Sequence, residues 1–250
     1  PRSSKNPDID SLAQGKSRIL LLNKSDMADA AKTQSWISYY EKQGFLALAV
    51  NSKKKNELKQ VNALVQKACE KKIERDRKRG IKNRPVRAMI VGIPNVGKST
   101  FINSFAGKAC AKTGNKPGVT KGKQWIRLNK QVELLDTPGI LWPKFEDPEV
   151  GMRLAYTGAV KEDVIDTETL ACHFIALLAK YYPQTLSERY KLEAPEGADG
   201  YDLLQLAGKK RGYLVSGGEV NTERMAKALM DDYRSGKLGK LTLESPEDMQ

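Results

Sequence analysis

The sequence predicts an α/β protein: a mostly parallel, doubly wound sheet followed by an all-helical second domain. Up to Leu141, short apolar runs alternate with helical patterns, and each run ends in a polar loop, as buried parallel strands do. One run opens straight into Gly92-Ile-Pro-Asn-Val-Gly97-Lys98-Ser99, a glycine loop that leads into a helix. Beyond Pro143 the strand patterns stop and helical stripes take over.

Each element follows from local pattern. Ser17 to Leu22 is an apolar run feeding into Asn23, a strand with a functional loop at its carboxyl end. Asp29 to Gln43 reads as a helix closed by Gly44, and Phe45 to Val50 as a strand ending at Asn51-Ser52. Leu58, Val61, Leu64, Val65 and Ala68 share one helical face, with basic residues around the rest. Gly80 stops that helix, and Gly80 to Pro85 connects it to a strand over Arg87 to Val91. A helix begins at Ser99 and reaches Ala106. Gln124 to Leu128 and Gln131 to Leu135 pair around an Asn129-Lys130 turn, the second ending at Asp136. In the second domain Leu170, Phe174, Leu177, Leu178 and Tyr181 make one helical stripe, and Met225, Leu229 and Tyr233 another. Glu244 to Asp248 reads as a loose acidic tail. The expected domains are residues 1–144 and 145–250.

The glycine loop has the parts that hold phosphate. Gly92 and Gly97 let the backbone curl so that its N–H groups point at a phosphate, and the helix beginning near Lys98 adds its positive end. Asn95, Val96, Gly97, Lys98, Ser99 and Thr100 therefore line the expected nucleotide site. Lys98 is placed to reach β- and γ-phosphates and the Ser99 hydroxyl to ligate Mg²⁺. Asp136-Thr-Pro-Gly139 ends a later strand, where Asp136 can hold Mg²⁺ through water and the Gly139 N–H can meet a γ-phosphate. Between them, Thr120 in Gly118-Val119-Thr120 can complete the Mg²⁺ shell. Lys98, Thr120 and Gly139 are thus expected to stabilise phosphate, while no residue is assigned as catalytic. Ile140 stands where many GTPases carry a Gln that orients water, and His173 flanks a helical stripe as a packed or rim residue.

Base choice falls to Asn23-Lys24-Ser25-Asp26, about seventy residues before the glycine loop. The Asp26 carboxylate can accept from the N1–H and N2–H₂ edge that guanine has and adenine lacks. Asn23 can hold the loop and base edge, and the Lys24 stem can lie across the ring. In isolation the tetrapeptide reads equally well as a helix cap. Asn51 and Ser52 occupy the place of a further base-backing loop. Ordinary GTPases carry the base-reading segment after the phosphate loop, so this order predicts a circularly permuted P-loop GTPase fold.

Composition bounds the rest. The 250 residues carry 40% hydrophobic and 29% charged residues, as in a folded globular chain. No apolar stretch reaches about eighteen residues, so no membrane span is expected. Cys69, Cys110 and Cys172 lack paired spacing, which fits a reducing cytosol and no thiolate metal site. Net charge is +13, and Lys53 to Arg87 holds fourteen Lys or Arg against four acids. Lys108, Lys112, Lys116, Lys121 and Lys123 follow with no acid between them. A single charge run is usually a solvated face, but the second stretch favours nucleic acid as partner.

Taken together, the motifs resemble the circularly permuted GTPases, and within them the bacterial ribosome biogenesis GTPase A family. The resemblance rests on Asn23 to Asp26, Gly92 to Thr100, Lys112-Thr-Gly-Asn-Lys-Pro-Gly-Val-Thr120 and Asp136-Thr-Pro-Gly-Ile-Leu-Trp-Pro-Lys-Phe-Glu-Asp147. It continues through Lys210-Arg211-Gly212 and Ser216-Gly217-Gly218. It implies a cytoplasmic, Mg²⁺-dependent GTPase acting late in assembly of the large (50S) ribosomal subunit, with GTP or GDP bound and hydrolysis stimulated by the particle. It further implies a C-terminal helical domain that binds RNA, inhibition by guanosine alarmones, and potassium held with help from Asn95. Such proteins carry an upstream segment with another strand and a histidine proposed to act on the water. The chain opens at Pro1, so the expectation is nucleotide binding with slow hydrolysis. The rival expectation is an RNA-binding scaffold whose nucleotide site only supports the fold. A membrane or tRNA-modification GTPase has no apolar span or cysteine site to support it.

Overall fold

Ile19–Asn23 forms strand β1 and pairs in parallel with Leu46–Val50, β2, from Ile19 opposite Leu46 to Asn23 opposite Val50. Period-two alternation splits the side chains of β1 between two cores. Leu20 and Leu22 pack with buried Trp36, Tyr40 and Ala47, beneath the helix Ala30–Lys42 (α2). Ile19 and Leu21 face the larger core of Val50, Leu58, Val61, Val65, Phe101, Ile102, Val132 and Leu134. Apolar faces on both sides of a strand pair are the mark of a doubly wound sheet. The short helix Ile9–Leu12 (α1) precedes β1.

The computed structural model describes residues 1–81, 84–111, 124–127, 131–142, 144–160 and 165–249. Val86–Met89 (β3) pairs in parallel with Val132–Asp136 (β5), and Gln124–Arg127 (β4) pairs antiparallel with β5. The described strands thus form two sheets, β1-β2 and β3-β5-β4, where the sequence predicts one. The expected Asn129-Lys130 turn lies outside the described residues.

The helix expected from Leu58 to Gly80 is two helices, Lys55–Ala68 (α3) and Glu70–Lys78 (α4). They part at Cys69, whose ψ of 9° leaves helical geometry. The apolar repeat fixes α3 against the core, while α4 buries no residue and carries its charges outward. Lys98–Ala106 (α5) follows the glycine loop and buries Phe101 and Ile102.

The chain divides into two compact units, Pro1–Phe145 with Thr242–Gln250, and Glu146–Leu241. The second comprises Pro148–Tyr156 (α6), Thr167–Tyr181 (α7), Pro183–Tyr190 (α8), Gly200–Lys210 (α9) and Thr222–Arg234 (α10). Leu170, Phe174 and Leu178 of the expected stripe are buried, and Phe174 lies 4.7 Å from the Tyr233 ring. Tyr181 departs from the stripe: at the last position of α7 it is 61% exposed. An isolated antiparallel bridge joins Leu214 to Val220, a small β feature where no strand is predicted.

The end of the chain also differs from expectation. The segment from Thr242 belongs to the first unit rather than the second, and Thr242 and Glu244 are buried instead of forming a loose acidic tail. The reason is hydrogen bonding. The Ser3 N–H donates to the Glu244 carboxylate at 3.1 Å, the Ser3 hydroxyl also reaches it, and Trp36 Nε1–H donates to the Glu244 carbonyl at 3.0 Å. A satisfied carboxylate tolerates burial that an unpaired one would not.

Candidate nucleotide site

The two sequence segments that suggested a nucleotide are joined by one side chain. Asn23, the last residue of β1, donates from Nδ2 to the Val96 carbonyl of the glycine loop at 2.8 Å. Its Oδ1 accepts from the Ser52 hydroxyl at 2.7 Å and the Ser52 N–H at 3.2 Å. Asn51 and Ser52 are themselves buried, and the Asn51 N–H donates to Glu57 Oε2 at 2.7 Å. Glu57 sits in the first turn of α3, and its reach back holds the loop that leads into that helix. Sequence reasoning overlooked Glu57, although an acid at the third helical position is a known reach-back signal.

Gly97 is required where Asn23 crosses. Its φ is +94°, and a Cβ there would collide with Asn23 Nδ2. Two non-glycine residues nearby also adopt left-handed geometry, Lys24 and Asn95, each with φ 60°. Such backbone is sparsely populated and gathers at ligand sites. After Lys24 a tight turn, Ser25–Met27, carries Asp26. Asp26 is exposed and does not cap α2; that role belongs to Asp29, which accepts from the Lys32 N–H at 2.8 Å. The Asp26 carboxylate is therefore not committed to the helix.

Lys98 folds back over its own loop, donating to the carbonyls of Gly92 at 3.0 Å and Ile93 at 2.9 Å. Burial lowers its pKa from the ordinary lysine value, and the charge of Asp136 opposes that shift. Asp136, at the end of β5, is fully buried, and Thr137 after it donates to the Ile90 carbonyl at 2.7 Å. These contacts hold the end of β5 against the root of the glycine loop. Gly139 lies so close that a Cβ would come within 2.7 Å of the Pro94 backbone and 3.0 Å of Lys98 Nζ. Ile140 N–H faces the Gly92 carbonyl at 3.4 Å while its side chain is 59% exposed.

The oxygen donors here suit a hard divalent cation. Ser99 lies in the first turn of α5, Asp136 is buried near Lys98, and both are the ligand chemistry that Mg²⁺ prefers. Thr120, the third expected ligand, lies outside the described residues, as do Lys112 to Lys123. His173 is exposed on α7, in the second unit. Among the described residues no helix is long and apolar enough to cross a membrane.

Comparison with known proteins fits this geometry. A family model described as 50S ribosome-binding GTPase matches residues 87–191. Ribosome biogenesis GTPase A of Bacillus cereus is 45% identical over 249 residues, covering 99% of this chain and 83% of that protein. The Thermotoga maritima protein of the same name is 31% identical over 236 residues, covering 94% of this chain and 78% of its own length. Among solved structures, GNP-bound YlqF from T. maritima is similar with a TM-score of 0.63 and 26% identity, over 99% of this chain and 88% of that one. A GDP-bound YlqF structure gives 0.64 and 25%, over 99% and 91%. The permuted order of segments, the joined loops and the likeness along the whole chain converge: this is a GTPase, and it belongs to the ribosome biogenesis GTPase A family.

Proposed function

We propose that this GTPase acts in late assembly of the large ribosomal subunit, with GTP favouring binding to the particle and GDP favouring release. The observation that carries the nucleotide half is Asn23, which ties the base-reading turn to both the glycine loop and Ser52. In this reading Asp26 accepts from the guanine edge and Lys24 covers the ring. Asn51 and Ser52 back the base, and the Asn95 to Thr100 segment holds the phosphates. Mg²⁺, held through Ser99, Thr120 and Asp136, supplies charge neutralisation at the β- and γ-phosphates. Gly139 senses the γ-phosphate because its loop already rests on Pro94 and leaves no room for a side chain. Asn95, in left-handed geometry, helps hold K⁺ in the same reading, and a guanosine alarmone competes for the same loops.

The ribosomal half is supported by the relatives' names, by the family description and by the net charge of +13. A positive surface releases counterions from RNA phosphates, so binding falls steeply with salt. Co-sedimentation with large and small subunits tests both halves. The expected result is co-pelleting with the large subunit in a non-hydrolysable GTP analogue, and loss with GDP or rising salt. Equal binding in both nucleotides would instead favour a scaffold whose nucleotide only supports the fold.

A further inference from the structure

The segment after Leu241 lies along the first turns of α2, beside the base-reading turn. The Asp29 N–H donates to Thr242 Oγ1 at 3.0 Å, and Lys32 Nζ donates to the Thr242 carbonyl at 3.2 Å. One turn further, Trp36 Nε1–H donates to the Glu244 carbonyl at 3.0 Å. Positions 29, 32 and 36 fall on one helical face, so the segment runs along α2 as a strap. The 3-10 turn Pro246–Met249 continues it against the same helix. Trp36 is fully buried and Glu244 nearly so, which fixes the strap rather than leaving it to fray.

Asp29 is only three residues beyond Asp26. Its side chain caps α2, while its N–H is held by Thr242. The turn bearing Asp26 is therefore anchored on one side by Asn23 and on the other by the start of α2. We propose that Thr242, with the Glu244 carbonyl, positions Asp26 for guanine selection from more than two hundred residues away in sequence. The proposal rests on the reading that Asp26 accepts from the guanine edge. It goes beyond that reading by making the C-terminal strap a determinant of base specificity. Thr242 touches no nucleotide; it acts through α2.

Inosine diphosphate separates positioning from plain stability, because it keeps the guanine N1–H and lacks the N2 amino group. A strap that sets Asp26 favours GDP over IDP; a strap that only stabilises the fold affects both alike. In the full chain, Thr242→Val keeps the shape and removes the acceptor for Asp29. GDP affinity is expected to fall about threefold to tenfold, the worth of one hydrogen bond, with a smaller fall for IDP. Thr242→Ser, which keeps the hydroxyl, is expected to retain the GDP preference. If Thr242→Val does not fold, as judged by circular dichroism, Trp36→Phe carries the same test by removing the donor to Glu244.

Equal losses for GDP and IDP, or no loss for either, overturn the proposal. An Asp26→Asn arm tells its failure from that of the base reading. If Asp26→Asn leaves the GDP-to-IDP ratio unchanged, Asp26 does not read guanine and both ideas fall. If Asp26→Asn collapses the ratio while Thr242→Val leaves it alone, only the strap is overturned.

Discussion

At the residue scale, Asn23 and Gly139 carry the argument. Asn23 makes three hydrogen bonds to groups far from it in sequence, so removing its side chain releases the glycine loop and the Ser52 loop together. Asn23→Ala is expected to weaken GDP binding by about 2–3 kcal/mol, two or three net hydrogen bonds, as read by isothermal titration. A loss confined to the melting temperature, with GDP affinity intact, would sink that role. Gly139→Ala places a methyl against Pro94, so the loop must move away from the phosphate loop. GDP binding is expected to survive, while affinity for a non-hydrolysable GTP analogue falls at least about tenfold, as for one charge-assisted hydrogen bond. The type of residue at these sites was legible from sequence. Their contacts were not, because Asn23 and Val96 meet only after β1 and the loop of α5 have folded.

At the element scale, local periodicity described α3 and all of α7 but its last position well, since their apolar faces pack into cores that the pattern anticipates. It failed where burial depended on a distant polar partner. Glu244 looked like part of a solvated acidic tail, yet Ser3 and Trp36 draw its residue inside. Asp232 in α10 is a similar case: an acid in an amphipathic helix, but only 5% exposed. It accepts from Arg189 at 2.8 and 3.0 Å and from the Tyr190 hydroxyl at 3.1 Å. Burial pushes its pKa up, but Arg189, Tyr190 and Lys237 outweigh that and hold it below the ordinary carboxylate value. A carboxyl depressed in the folded state stabilises fully above its unfolded pKa, and the benefit is lost as pH falls through the folded value. Asp232→Ala is therefore expected to cost about 2–4 kcal/mol in urea unfolding near pH 7, and much less well below pH 4. An equal cost at both pH values would show that the charge is not what matters.

The helix α4 carries basic residues through to its last turn. Lys71, Arg75 and Lys78 are exposed and share one face, with no residue of the helix buried. If that face meets rRNA phosphates, replacing all three with Ala should flatten the plot of log affinity against log salt by about two to three units. An unchanged slope would make α4 a solvated surface that only keeps the protein soluble. Charge in the sequence shows attraction to a polyanion and not which polyanion.

At the scale of the whole molecule, the reversed order of segments places the Gly139 loop near the end of the first stretch of unit one. The chain then passes through Trp142 and Phe145, whose rings meet edge to face at 5.2 Å, before entering the helical unit at Glu146. It returns at Thr242, beside the helix that follows the Ser25–Met27 turn. One covalent join of the helical unit thus follows Gly139 by a few residues in sequence, and the other leads into Thr242, which holds the start of α2. Permutation was legible in the sequence; the second join was not, because nothing in Thr242 to Glu244 marks a return of the chain to the first unit.

If the Gly139 loop senses the γ-phosphate and through it sets binding to the large subunit, a titration at fixed nucleotide state shows it. Large subunits are titrated against the wild-type chain and Gly139→Ala, each loaded with a non-hydrolysable GTP analogue or with GDP at saturating nucleotide. The expected result is tighter binding of the wild type in the GTP analogue than in GDP, with Gly139→Ala binding as the GDP form does in both. Wild-type binding that is the same in the two nucleotides, or a Gly139→Ala variant that keeps the full difference, would contradict it.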